Sequence, residues 1–526
     1  MKQILLLLTF FFCLNAQSQT GDLVFNDTVL HNLVIETDLV NWFDTLEQDF
    51  DQSMSNPELY PERYHKCKVT WDSITLGECG FREKGNASNL FVQFGKKKPF
   101  KIAFDKYIEE QELDGLGKIN LNNFTNDPSL LHDALSFKLM RDAGILAPRT
   151  SYTKLWVNNE YIGLYIVIEN VDKTFLKFAF GSSQNDGNLY KTDRGASVFL
   201  EWLGAESTGY KASGLKLTTN ESTDDWTGFI NFVDLINNNN SSDFKQLFET
   251  GFDVHTYLKV LAIEKCVKSW DSYWGGGNNF YLYEHPDGKM RWIPWDMNET
   301  FQDIKLLEGT SLLNGYLVPT PQFDERPLLK RIFEIEEYKT EYLNNVCDLL
   351  QTKFSAEYLG KYCVDMHNLI DAAYKSDVYK YNTYEAFQGS LTERNEDVVS
   401  LTHSAYVLRI DYPGIFPFIQ TQREWASEQM NAWKFDCSLE DNTIYNLSVY
   451  PNPSSGLINV KNELNTFEYA QFQLYDYTGK LVLATGYQIL EGEYHTLSLE
   501  EIPAGIYLLT KQSADGQLGR AKVVVK

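Results

Sequence analysis

The spacing of apolar residues changes twice along this chain, and that limits what it can fold into. From residue 21 to 107 apolar and polar positions alternate between turn residues, most clearly in "CKVTWDSITL" and "LFVQFGKKKPFKIAF". From about Asp224 to Lys268, and again from 325 to 435, the spacing is helical, with an Asn-rich break, "NNNNSSD", in the first of these. Beyond Asp441 short alternating runs return, such as "FQLYDYTGKLVL" and "IPAGIYLLTK", punctuated by Gly and Pro. A strand sends successive side chains to opposite faces, whereas a helix repeats about every 3.6 residues, so each stretch commits to one element type. The order predicts an α+β fold: a strand-rich lobe, a helix-rich lobe with a cleft between them, then a small all-β sandwich. A chain of 526 residues is also too long for one simple core.

Local signals sharpen this picture. In "NDPSLLHDALSFKLMRDAG", Asp127 suits an N-cap, Pro128 the first turn and Gly144 the stop, and Leu131, Leu135 and Leu139 form a buried stripe. "SYTKLWVNNEYIGLYIVIENV" reads as two strands joined at Asn158 and Asn159. "SWDSYWGGGNNFYLYEHPDGKMRWIPWDMNETF" reads as a polar loop, a strand, a Pro-Asp-Gly turn, a second strand, and Asp296 after Trp295.

Residues 1–19 read as a secretory signal peptide: Lys2, the apolar run Ile4 to Leu14, then small and polar residues. No other apolar run is long enough to span a bilayer. The formal charge of -25 repels phosphate backbones and argues against nucleic-acid binding, while leaving room for divalent cations. Six cysteines follow the signal, an even number that permits disulfides in an exported chain; Cys67 with Cys79 and Cys347 with Cys363 are plausible pairs, with buried thiols the other possibility. There is no CxxC to suggest zinc, and no GxSxG or HExxH to suggest a serine hydrolase or zinc protease.

The segment 441–526 resembles the type IX secretion sorting domain of Bacteroidota through "VYPNPSSG" (Val449 to Gly456), "LYDYTGK" (Leu474 to Lys480) and "AGIYLL" (Ala504 to Leu509). That resemblance implies the type IX machinery as a partner, passage across the outer membrane, and release or anchoring at the surface. The region 20–440 resembles the CotH kinase family, the spore-coat protein H group. It does so through "GFREKGNAS", "KKPFKIAFDK", "YIGLYIVIENVDKTFL", "GNLYK", "DSYWGGGNNFYLY", "IPWDMNETF" and "RPLLKRIFEIEEY", in family order. This resemblance implies an atypical protein-kinase-like, two-lobed domain. It would bind ATP with Mg2+ or Mn2+ and pass a phosphoryl group to Ser/Thr hydroxyls of an unknown protein acceptor.

Phosphoryl transfer depends on positioning and charge neutralisation. By the resemblance, Asp271 orients or deprotonates the acceptor hydroxyl. Asp296 and Asn279 bind the metal, with Asn278 a close competitor. Lys98 is the phosphate lysine. On a regular strand Lys101 points to the face opposite Lys98, so at most one of them reaches the nucleotide. Arg82 and Lys84 share a face before a turn whose N–H groups, with Ser88, suit phosphates. Glu169 stands at the family's hinge-like acid, or pairs with Lys173 four residues on. Lys191 is a further nucleotide contact.

Three departures from the family pattern matter: Asn298 in place of a second aspartate, Gln302 in place of a glycine, and His132 in place of an arginine. The first two, with the scarcity of ATP outside the cell, motivate one alternative, a catalytically inactive pseudokinase or structural surface protein. A glycan-binding surface protein is another, since 11 tryptophans and 31 tyrosines offer stacking platforms.

Overall fold

The alternating first half closes on itself. β1 (Leu30–Glu36), β2 (His65–Trp71), β3 (Ile74–Glu83), β4 (Phe100–Ala103), β5 (Lys118–Asn122), β6 (Thr150–Val157) and β7 (Glu160–Glu169) form a closed barrel in the order β1-β2-β3-β4-β5-β7-β6. β1 meets β6 in parallel to complete the ring. Leu33, Ile35, Val69, Trp71, Phe81 and Phe100 contribute to its core. The predicted β6–β7 hairpin is present, with Asn158 and Asn159 at φ 47 and 68, the left-handed values that Asn tolerates. This computed structural model describes residues 20–85, 95–193, 195–306, 317, 326–403, 406–437, 439, 444–462, 467–490, 492–514 and 517–526. The signal peptide expected at 1–19, and Ser88, lie outside them.

The strand reading of 21–107 misses one element. "WFDTLEQDFDQSMS" is a helix, α1 (Trp42–Ser55), with Trp42, Leu46 and Phe50 buried at helical spacing. The predicted helix after Asp127 starts later than expected, as α2 (His132–Asp142), and Gly144 ends it at φ 77. Asp127 organises the turn before it. Its Oδ1 accepts from the backbone N–H of Ser129 and Leu130, and its Oδ2 from that of His132, the first helical residue. Leu131, Leu135 and Leu139 are fully buried, as the stripe predicts.

α3 (Lys173–Phe180) follows the barrel. A second sheet, β11-β10-β8-β9, is built from β8 (Asn188–Thr192), β9 (Leu215–Leu217), β10 (Phe280–Glu284) and β11 (Met290–Pro294). The expected 280–294 hairpin is its β10–β11 pair. Helices α4 (Ser207–Ala212), α5 (Thr227–Asn238), α6 (Phe244–Gly251) and α7 (Val254–Cys266) come between β8 and β10 in the chain, α4 packing on β9 and α7 on β11, and the Asn-rich break falls at the junction of α5 and α6. β12 (Asp303–Leu306) comes next, then α8 (Pro327–Phe333), α9 (Glu336–Thr352), α10 (Ala356–Ser376) and α11 (Tyr384–Gly389). β13 (Asn395–His403) and β14 (Tyr406–Tyr412) then form a sheet with β12, where a helical continuation was expected, before α12 (Ile415–Ala432).

Cys347 on α9 is bonded to Cys437 just beyond α12, not to Cys363, which is a buried thiol. Cys67 and Cys79 do face each other across β2–β3, yet both are thiols, Cys67 Sγ lying 3.5 Å from the Cys79 carbonyl.

Barrel and helices are stapled by a buried ion pair. Lys97, before β4, meets Asp377, at the end of α10, and both are buried. Asp377 also accepts from the Leu164 N–H at 3.0 Å. Gly163 permits this approach: its φ is 138, and a Cβ there would collide with the Asp377 carboxylate.

The C-terminal region is all β. β15 (Ile444–Asn446), β18 (Glu468–Tyr475), β19 (Leu481–Leu490), β21 (Gly505–Ser513) and β22 (Leu518–Val525) form one sheet. β16 (Val449–Tyr450), β17 (Leu457–Lys461) and β20 (Tyr494–Ser498) form the other. Ile458, Phe472, Leu474, Leu497 and Leu509 share a core of their own. Phe467 and Tyr469 instead join the helical core, at ring distances of 5.2 and 5.0 Å from Phe416 on α12.

Candidate functional site

The site is assembled where the loop after α7 meets the β10–β11 hairpin. Asp271 is held by two amides. Asn278 Nδ2 donates to its Oδ1 at 2.7 Å, and Asn279 Nδ2 donates to its Oδ2 and to its backbone carbonyl, each at 2.8 Å. The intervening glycines make the loop tight enough for this. A Cβ at Gly275 would collide with the Trp270 carbonyl, and Gly277 stands at φ 74. Arg326, before α8, donates to the carbonyls of Tyr273 and Gly275, fixing the loop from behind. Asn279 (φ 55) and Asp296 (φ 54) take left-handed backbone at the hairpin's two ends, and the Trp295 N–H donates to the Asn279 carbonyl at 3.2 Å. The rigid hairpin thus sets Asn279 and Asp296 side by side.

Asp296 is the electrostatic hub. Burial pushes Lys84 down to about 8 from the ordinary 10.5, and Asp296, then Asp133, pull back the other way. Burial likewise lowers Lys191, again opposed chiefly by Asp296. Asp271 is raised by burial and by the charge of Asp296, against the two amide hydrogen bonds that lower it. Lys101 is held well below the lysine range by burial and by the like charges of Arg82, Lys191, Lys84 and Lys118, in that order. Its ammonium donates at 2.8 Å to Asn170, a neutral partner. Arg82 stands opposite Lys101 in the β3–β4 ladder, pairs with Glu62, and stacks over Tyr64. Lys191 lies over the rings of Tyr281 and Trp295, 5.4 Å from each. Arg82, Lys84, Lys101 and Lys191 therefore share one partly dry space beside two aspartates.

Two expected residues go elsewhere. Lys98 lies outside the alternation, because β4 begins only at Phe100, and its ammonium is 3.4 Å from Glu47 on α1. Lys101 is the lysine of that segment that joins the group around Asp296. Glu169 does not pair with Lys173, which is 3.7 Å from Asp186. It forms a buried bidentate pair with Arg149 at 2.6 and 3.0 Å and also accepts from the Arg149 backbone N–H.

Sequence reasoning misses two acids. Asp133, in the first turn of α2, accepts from the Met297 N–H at 3.0 Å and from Asn122 at 3.3 Å, and so fixes the chain just past Asp296. Burial, then the charge of Asp296, pushes Asp133 up to about 8. Glu299 accepts from Asn126, Asn298 and Gln302, and burial pushes it up to about 7. Their only signals were a first-turn acid and an acid next to Asn298. His132 bridges the same region, its Nδ1 2.9 Å from the Asn298 carbonyl and its Nε2 3.4 Å from Asp127.

Magnesium prefers oxygen donors. The Asp296 carboxylate and the Asn278 and Asn279 amide oxygens are of that kind, and Asn278 Oδ1 is a buried acceptor without a hydrogen-bond partner among the described residues. Among those residues no three His, Cys, Asp or Glu side chains gather as a metal-binding group, so the donor set that fits is a mixed carboxylate and amide one.

This barrel-and-helix domain, with a loop aspartate and a hairpin-mounted Asn and Asp, falls within a recognised family. The family model "CotH kinase protein" matches residues 81–403, more than half of the 526-residue chain, and the chain belongs to that family. A second model, "Secretion system C-terminal sorting domain", matches residues 448–526. Among curated proteins, the chain is 28% identical to the inner spore coat protein H of Bacillus subtilis (strain 168) over 310 residues, 58% of this chain and 79% of that protein. It is 22% identical to invasin CotH7 of Rhizopus delemar over 269 residues, 49% of this chain and 43% of that protein. The sorting domain marks a secreted or cell-surface protein that uses the type IX machinery. Among the described residues no helix is long and apolar enough to cross a membrane.

Proposed function

We propose that this protein is an exported protein kinase that takes ATP with Mg2+ or Mn2+ and passes the γ-phosphate to Ser/Thr hydroxyls of a protein acceptor. Its signal peptide is the segment 1–19, and the barrel and the helical region act as the two lobes of an atypical kinase. The observation that carries this reading is the set of cations Arg82, Lys84, Lys101 and Lys191, buried or half-buried, gathered around Asp296, whose charge also reaches Asp271. Cations crowded in a poorly solvated space raise one another's cost, and a polyanion relieves it. A triphosphate matches both their number and their sign. Asp296 and Asn279, with Asn278 as the competing amide, would hold the metal, which when bound neutralises charge on the phosphate oxygens.

Asp271 has the part of orienting the acceptor hydroxyl and receiving its proton. Its two amide hydrogen bonds fix the carboxylate plane, and its raised affinity for protons suits a base. Purified mature protein with labelled ATP and Mg2+ or Mn2+ is expected to label itself or a generic protein substrate. Labelling no greater than that of Asp271→Ala would refute transfer. A pseudokinase reading draws on Asn298, whose amide is engaged by Glu299 where the family commonly has a second acid. It predicts ATP-dependent stabilisation without labelling.

A further inference from the structure

Next to Asp296 the chain builds a second polar nest that nucleotide binding does not use. Its centre is Glu299. Oε1 accepts from Asn126 Nδ2 at 2.9 Å and from Asn298 Nδ2 at 3.2 Å, and Oε2 accepts from Gln302 Nε2 at 2.6 Å. All three donors are neutral, and the nearby charges that act on Glu299 are those of Asp271 and Asp296, both negative. A buried carboxylate in such company lacks a compensating cation among the described residues.

The amides around it carry the second observation. Asn126 is 2% exposed and Gln302 0%. Each gives its nitrogen to Glu299, and the oxygen of each, Asn126 Oδ1 and Gln302 Oε1, is buried with no hydrogen-bond partner among the described residues. Unsatisfied buried acceptors are uncommon in folded proteins and are normally met by water or an ion. In an amide the oxygen sits next to the nitrogen, so each of these oxygens lies within a few ångströms of the Glu299 carboxylate. Asn126 is itself fixed at φ 61 in the turn organised by Asp127.

We propose that Glu299 and the amide oxygens of Asn126 and Gln302 bind a hard divalent cation of the calcium or magnesium kind, separate from the metal that accompanies ATP. Carboxylate, amide carbonyls and water form a donor set that calcium accepts readily and that magnesium accepts with more retained water. A single carboxylate makes the site weak, with Kd of roughly 10⁻⁴–10⁻³ M, the range of extracellular calcium modules.

Calcium chloride and, separately, magnesium chloride are titrated into the mature, nucleotide-free protein by calorimetry. Wild type is expected to take up one cation per chain, and the tighter of the two salts identifies the ion. Glu299→Gln is expected to weaken uptake at least about tenfold, whereas Asp296→Asn retains it. Asn126→Asp adds charge at a ligand oxygen and is expected to tighten binding by about tenfold. If Asn126 only donates to Glu299, Asp there repels the carboxylate and binding weakens. This variant carries the test should Glu299→Gln fail to fold. No uptake without nucleotide, uptake indifferent to Glu299→Gln, or weaker uptake by Asn126→Asp would each overturn the proposal. A protein that binds the cation yet transfers no phosphate refutes only the kinase reading; one that transfers phosphate but takes up no cation refutes only this one.

Discussion

Replacing Lys84 with Met should stabilise the empty protein and cripple its hold on polyphosphate. The fall of Lys84 from 10.5 to about 8, caused mainly by burial, corresponds to roughly 3 kcal/mol against folding. The sign follows from linkage. Below pH 8 the ammonium is charged in both folded and unfolded chains, so the full cost is present. Between pH 8 and 10.5 the folded form is neutral while the unfolded form is still charged, and the cost fades. Above 10.5 it is gone. That net fall already includes the attraction of Asp296 and Asp133, and the partial exposure of Lys84 discounts it to about 1–3 kcal/mol at pH 7. Chemical denaturation of wild type and Lys84→Met at pH 7, 8.5 and 10 should show the variant ahead at pH 7 and the gap closing by pH 10. Inorganic triphosphate at about 100-fold over its Kd should add roughly 2.7 kcal/mol to wild type and far less to the variant. A variant that is less stable at pH 7, with a pH-independent gap and undiminished triphosphate stabilisation, would refute the idea that these poorly solvated cations are held ready for an anion.

Other expectations follow from the packing. Breaking the Cys347–Cys437 bond, whose ends are 90 residues apart, should cost roughly 4–5 kcal/mol by loop-closure entropy, measured by denaturation of a double Ser variant. Arg149→Met leaves the buried Glu169 carboxylate without its bidentate partner and should cost about 3–5 kcal/mol, whereas Lys173→Met should be near neutral in the same assay. Gly163→Ala combines left-handed backbone with a clash against Asp377 and should cost at least about 2 kcal/mol, read from its thermal midpoint.

The elements that could be read in the sequence are those whose signals are local. The Asn158–Asn159 hairpin, the Leu131–Leu135–Leu139 stripe and the Pro-Asp-Gly turn of β10–β11 each carry their own turn residues or period, and all are present. α1 escaped because its apolar residues, Trp42, Leu46 and Phe50, are spaced among acids that look like loop. The β13–β14 pair escaped because it interrupts a helical run. At the site, the loop and hairpin residues Asp271, Asn278, Asn279 and Asp296 are visible because the motif is contiguous. Asp133 and Glu299 are not, since what gives them a role is the Met297 N–H and the Asn126 amide, brought together from 164 and 173 residues away. Strand alternation did not foretell that Lys98, chosen from the resemblance, precedes β4 and meets Glu47 on α1. The Cys437 partner of Cys347, 90 residues distant, has no local signature at all.

The Lys97–Asp377 staple also bears on how the barrel and the helices are held to each other. Separating a buried pair without supplying new partners leaves two bare charges, which makes this end of the barrel the last place to come apart. Tyr161 to the Ala373 carbonyl, Lys96 to Glu160 and Glu160 to Tyr379 cluster around the same point. These contacts tie the barrel to the end of α10 at one corner, so any movement of the barrel against the helices is expected to turn about that corner.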